Sequence, residues 1–398
     1  MKTLALAFSA ACAPVLAQTN YGTITFTNKS GGVISNAVVV KVDAGKLSYR
    51  YSVGVGGGVV RLADLPEGLQ ARFGSIPDRA DNAAALKRPA PQAAAARKKF
   101  EETKAKAEKG DAKAQCSLGV CYHDGDGVTR DAVEAVKWYR KAAEQGLAPA
   151  QTNLGFCYRD GDGVTKDAVE AVQWFRKAAE QGLAPAQNRL GQCYRDGDGV
   201  TQDAVEAVQW FRKAAEQGLA PAQNNLGFCY HHGNGVTQDA LEAVKWFRKA
   251  AAKGEAHAQY NLGACYRDGD GVTRDAVEAV KWFRRAAAKG DALAQNNLGA
   301  CYHDGDGVTK DVVEAVKWFR EAAAKGDAHA QYNLGVCYHN GDGVTRDAVE
   351  AVKWYRKAAE QGLAPAQTTL GQCYDDGDGV TRNAVEAAKW FRKAAEQR

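Results

Sequence analysis

Residues 148–183 read APAQTNLGFCYRDGDGVTKDAVEAVQWFRKAAEQGL, and residues 184–219 read APAQNRLGQCYRDGDGVTQDAVEAVQWFRKAAEQGL. The second stretch repeats the first at a 36-residue step, and the step continues in both directions. Cys121, Cys157, Cys193, Cys229, Cys265, Cys301, Cys337 and Cys373 mark it, as do tryptophans from Trp138 and Trp174 through to Trp390. A fixed period of this length is the mark of stacked two-helix units, each too small to bury its apolar face alone. The sequence therefore predicts a mainly α protein, an α-solenoid of eight 36-residue two-helix repeats over residues 112–398. Such an array offers partners a long surface and seldom a closed catalytic pocket.

Within one repeat the helix signals are explicit. The first helix covers roughly Ala112 to His123, with Ala114, Leu118, Cys121 and Tyr122 on one face at helical spacing. Asp124-Gly125-Asp126-Gly127 ends it. Asp131 with Glu134 three residues later predicts a capping box for the second helix, which carries Ala135, Trp138, Tyr139, Ala142 and Ala143 on its buried side and closes at Gly146. Asp291 and Asp327 suit the cap of the next first helix, while Pro149 and Pro185 suit its first turn, where no amide partner is needed.

Upstream the pattern changes. Residues 1–17 read as an export signal, with Lys2, an apolar stretch from Leu4 to Phe8, and Val15-Leu16-Ala17 before Gln18, so mature protein is expected to begin at Gln18. Lipid attachment at Cys12 is the alternative. Residues 18–76 alternate in strand fashion, as in Thr23 to Thr27 and Ala37 to Val42, and predict a small all-β module. Residues 77–92, rich in Ala and Pro, read as a linker, and 93–111 as an N-terminal capping helix, with Phe100 where a repeat has Val136 and Glu102 where it has Trp138. No other stretch has the length of apolar sequence that spans a membrane.

The order Ala-Gln-x-x-Leu-Gly-x-x-Tyr, Gly-x-Gly-Val, Asp, Ala-x-x-Trp, Lys-Ala-Ala, as in Ala150 to Ala179, resembles the Sel-one-like repeat (SLR), a relative of the tetratricopeptide repeat. That resemblance implies a right-handed superhelical adaptor that holds proteins or peptides, without saying which.

The remaining chemistry is mostly excluded by geometry or composition. A net charge of +5 with interspersed signs gives no strong pull toward nucleic acid. Cysteines one repeat apart should lie about 10 Å from each other, beyond the reach of a disulfide, so they are expected to be buried thiols. A calcium loop with Gly127 at its sixth position would place Tyr122 and Val133 at ligand positions that neither can fill. No nucleophile motif or paired metal histidines appear, so neither an enzyme nor a cofactor is expected.

The repeats differ chiefly at the positions of Lys113, Cys116, Ser117, Val120 and His123, which share a first-helix face expected to point away from the core. Along the array that face carries Phe156, Arg159, Arg195, Phe228, His231, Tyr260, Arg267, His303, Tyr332 and His339. Aromatic and Arg residues are the mix of a recognition surface. The expectation is an exported scaffold, periplasmic or extracellular, binding a protein or peptide on its concave first-helix face. Weak self-association through the C-terminal end, where Phe391 lies, is expected too. A cell-wall-directed hydrolase and a purely structural spacer stay open as alternatives.

Overall fold

A computed structural model describes four strands within residues 23–61 as backbone and residues 90–396, with side chains from 94 onward. The expected export signal lies outside the described residues, as does most of the expected linker. The strands β1 (Thr23–Thr27), β2 (Val33–Asp43), β3 (Lys46–Tyr51) and β4 (Gly57–Arg61) form one antiparallel sheet in sequence order. Ile24 pairs with Ala37, and Leu47 pairs with Val42 on one side and Val60 on the other.

Helix α1 (Ala90–Glu108) is followed by eight pairs: α2 (Ala112–Asp124) and α3 (Ala132–Glu144), α4 (Ala148–Asp160) and α5 (Ala168–Glu180), α6 (Ala184–Asp196) and α7 (Ala204–Glu216), α8 (Ala220–His232) and α9 (Ala240–Ala252), α10 (Ala256–Asp268) and α11 (Ala276–Ala288), α12 (Ala292–Asp304) and α13 (Val312–Ala324), α14 (Ala328–Asn340) and α15 (Ala348–Glu360), α16 (Ala364–Asp376) and α17 (Ala384–Ala395). From α2 to α17, consecutive helices pack on one another, giving a repeat solenoid.

Local chemistry sets these limits. Asp131 accepts the Glu134 amide at 3.0 Å and so starts α3. The reciprocal half of the expected capping box is absent, because the Asp131 amide already donates to the Tyr122 carbonyl at 2.8 Å, and the Glu134 carboxylate turns to Lys137 instead. Asp291 and Asp327 cap α12 and α14, whereas α4 and α6 begin with Leu147 and Leu183, lack a side-chain cap, and carry Pro in the first turn. After α4, Gly161 ends the helix in the left-handed region and Gly163 follows at φ 72°. A Cβ at Gly163 would also stand 2.1 Å from the Ala132 carbonyl oxygen of the preceding repeat, so only glycine lets that loop seat on the N-terminus of α3.

The core runs between the two helices of each pair and on to the next pair. Leu154, Ala171, Phe175 and Ala178 are almost wholly buried, and equivalent residues recur in each repeat. Phe175 and its counterparts fill this core more completely than the tryptophans, which sit nearer its rim, except in the last repeat, where Phe391 is exposed. The mid-helix Gly155 is there for the same reason: a Cβ would lie 2.6 Å from Phe175 Cε1. Close approach outweighs the poor helix propensity of glycine.

Neighbouring repeats are joined by polar bonds that recur along the array. The buried Gln151 donates Nε2 to the Ala143 carbonyl at 3.1 Å, satisfying a carbonyl at the end of α3, and its Oε1 accepts Gln181 Nε2 at 2.7 Å. Gln115 and Gln187 repeat the arrangement with Gln145 and Gln217. Where Lys253 and Lys289 replace the outer glutamine, their ammonium groups bond to the Gly218 and Gly254 carbonyls, and the buried Oε1 atoms of Gln223 and Gln259 have no partner among the described residues. A second row links Arg176 to the Tyr194 hydroxyl at 2.7 Å and Arg212 to that of Tyr230 at 2.8 Å.

Candidate interaction surface

The variable side chains project from the first helices, α4 to α14, and the structure distributes them unevenly. Several equivalents of Cys116 do not face solvent as expected: Cys116, Thr152 and Asn188 are buried. They lie where one first helix meets the next. Asn225 donates Nδ2 to Asn188 Oδ1, Asn261 to Asn224, and Asn333 to Asn296, each at 2.9 Å. Part of the variation therefore serves a ladder between repeats, a role that no single repeat reveals because donor and acceptor belong to different copies.

The aromatic residues also lean inward. Phe156 meets Phe175 edge to face at 5.3 Å, Tyr260 lies 5.9 Å from Phe283, and Tyr332 lies 5.7 Å from Tyr355, so all three are half-buried against the core. They occupy the Val120 or the Cys116 position. Phe228 alone of the four is exposed, at 38%, and its ring stacks on His232 at 4.0 Å. His232 stands where most repeats have Asp, a departure visible in sequence as His231-His232.

The basic residues fall at the C-termini of the first helices, where cations complement the helix dipole. Arg159, Arg195 and Arg267 each hold the following aspartate, Asp160, Asp196 and Asp268, through Nε and Nη2. The Arg159 bond keeps the Asp160 carboxyl below the usual carboxylate range, and Arg267 does the same to Asp268. The histidines reach across to the next repeat: His231 Nε2 lies 2.7 Å from Asp270, His339 Nδ1 3.3 Å from Asp378, and His303 2.7 Å from its own neighbour Asp304 and 3.7 Å from Asp342.

Phe156, Arg159 and Arg195 gather around Arg189, a residue the sequence reading passed over although it stands where four repeats downstream, from Asn225 to Asn333, carry Asn. Arg159 and Arg189 both place their guanidinium carbons over the Phe156 ring, at 4.8 and 5.0 Å from its centroid. Beside them opens a cleft of about 420 Å³ lined by Val120, Tyr139, Asn153, Phe156 and Arg159, among others. A second, of about 190 Å³, is lined by Arg159, Arg189, Gln192, Arg195 and Asp198. The residues Phe228 and His231, Tyr260 and Arg267, His303, and Tyr332 and His339 form separate patches along the array. Stacking and hydrogen bonding are what such surfaces offer. Among the described residues no cluster of His, Cys, Asp or Glu is arranged to hold a metal ion, and no helix is long and apolar enough to cross a membrane.

No curated protein matches the chain. Among solved structures, it is similar to a protective antigen of uropathogenic Escherichia coli displaying an SLR fold, 42% identical over 75% of this chain and 64% of that one, with a TM-score of 0.63. It therefore spans a little less than two thirds of that relative's length. It is similar too to a Sel1 repeat protein from Oxalobacter formigenes, 34% identical over 75% of this chain and 86% of the other, with a TM-score of 0.54. The Sel1 repeat model matches residues 112–147, 148–183, 184–219, 220–255, 256–291, 292–327, 328–363 and 364–398, the eight helix pairs in turn, and on that match the chain belongs to the Sel1 repeat family.

Proposed function

We propose that this protein is an exported, non-catalytic scaffold that holds a protein or peptide partner on the concave first-helix face of its Sel1 repeat solenoid. The observation that carries the reading is the convergence of Phe156, Arg159 and Arg195 beside an open cleft of about 420 Å³. Aromatic and arginine side chains in partly desolvated clefts dominate protein interfaces. Phe228 and His231, Tyr260 and Arg267, His303, and Tyr332 and His339 extend the contact along the array.

The test is a crosslinked pull-down from the native envelope with mass spectrometry, run on the parent chain and on the variant with Phe156, Phe228, Tyr260 and Tyr332 all replaced by Ala. Loss of the partner by a variant that still melts cooperatively supports the reading. Full binding by that variant moves the interface elsewhere, and N-terminal sequencing that finds intact Met1 removes export. Phe391, 40% exposed on α17, supports weak self-association as a secondary property. A strict monomer in sedimentation at high concentration removes it.

A further inference from the structure

The asparagine ladder makes repeat three conspicuous. Where Asn225, Asn261 and Asn333 each bond to the preceding repeat, Arg189 places a half-buried guanidinium whose hydrogen bond among the described residues is Nη1 to the neutral Gln192 Oε1, at 2.6 Å. Burial, and after it the charge of Arg159, pushes the Arg189 pKa down. Asn in this position would carry neither penalty. Arg159 and Arg195 use Nε and Nη2 on their own aspartates, so each keeps Nη1 for another acceptor. The repeat plan thus gives way here to a cation with donors to spare, pinned over Phe156 by stacking.

We propose that Arg189, supported by Arg159 and Arg195, receives the carboxylate of an acidic side chain on the partner, while the partner's adjacent apolar side chain enters the larger cleft over Phe156 and Val120. This rests on the scaffold reading above. A single negative charge matches Arg189, which alone of these three arginines bonds to no carboxylate among the described residues. Asp198, exposed on the wall of the same cleft, disfavours a doubly charged phosphate, and the adjoining larger cleft, where Val120 and Phe156 stand beside Asp124, Asp160 and Asp162, leaves room for a neighbouring side chain of a peptide rather than for a second anion.

The probe is a dye-labelled, end-blocked hexapeptide of sequence Leu-Glu-Glu-Leu-Glu-Glu, titrated into the full chain at low ionic strength and followed by anisotropy. Its counterpart with Gln for every Glu should bind at least tenfold more weakly. Arg189→Asn, which restores the residue found in five other repeats, should weaken the Glu peptide at least tenfold without lowering the melting temperature. Asp198→Asn should tighten it twofold or more by removing a repelling charge. Equal binding of the two peptides, indifference to Arg189→Asn, or displacement of the peptide by an equal concentration of inorganic phosphate overturns the proposal. Those results leave the scaffold reading standing if the four-aromatic variant still loses its native partner in the pull-down, so the two failures are separable.

Discussion

The indole nitrogen of Trp174 donates a hydrogen bond to Glu170 Oε1 at 2.9 Å, and Trp210 does the same to Glu206 at 3.0 Å. In Trp246, Trp282, Trp318 and Trp354 the same buried nitrogen has no partner among the described residues. The cause lies one residue before each tryptophan. Gln173 and Gln209 leave the glutamate to the indole, whereas Lys245, Lys281, Lys317 and Lys353 draw it away into ion pairs of 2.6 to 2.8 Å.

Gln173→Lys should therefore pull Glu170 from Trp174 and cost about 1 kcal/mol, the usual penalty for orphaning a buried donor. Lys281→Gln should shift stability the other way by handing Glu278 to Trp282. Denaturant melts with indole fluorescence read both changes. Equal effects of the same sign would show that the glutamate is not shared in this manner.

Phe156→Ala should cost about 1–2 kcal/mol, because its ring packs on Phe175, while Phe228→Ala should cost less than about 0.5 kcal/mol. A sequence reading that places both on a solvent face expects the smaller value for each. Trp210→Ala, at a buried position, should cost about 3–5 kcal/mol. Thermal melts of the three variants test the order.

Burial pushes the thiols of Cys157, Cys193, Cys229, Cys301, Cys337 and Cys373 up to about 11 and that of Cys265 to about 12, from an ordinary value of 9.0. The native state keeps protons that the unfolded chain gives up first. The stabilising contribution is therefore complete below pH 9 and is lost as pH rises toward 11. Melting temperature should fall across that window, and Cys193→Ala should flatten the fall. None of the cysteines described is in a disulfide, and Cys121, less buried than its equivalents, should be alkylated first. A pH-independent melting temperature from 8 to 10.5 would refute the ordering of the thiol pKa values.

What was legible in the sequence was whatever a segment settles within itself. Asp131 beside its own helix start, Gly125 at a helix end, and Leu118 at core spacing each act over one or two turns, and the structure agrees with all three. What escaped was set by the neighbouring repeat. Gln151 looks like a surface residue until the Ala143 carbonyl of the preceding repeat and Gln181 at the far end of its own repeat close on it. Asn188 and Asn225 look like recognition residues until they are found bonded to each other. Phe156 was placed on the right helix and the wrong depth, because a helical wheel gives direction from one axis and not the distance to the next.

The glutamine joint has an evolutionary corollary. Gln151 donates to the Ala143 carbonyl of the copy before it just as Gln187 donates to that of Ala179, so every such joint offers the same two polar ends. Excising or inserting 36 residues by recombination between near-identical copies would bring matching ends together, and the seam would close with the bonds it had before. Array length is then free to change in a single genetic event while the fold persists. Selection can lengthen or shorten the reach of the surface separately from tuning the handful of side chains, such as Arg189, in which the copies differ.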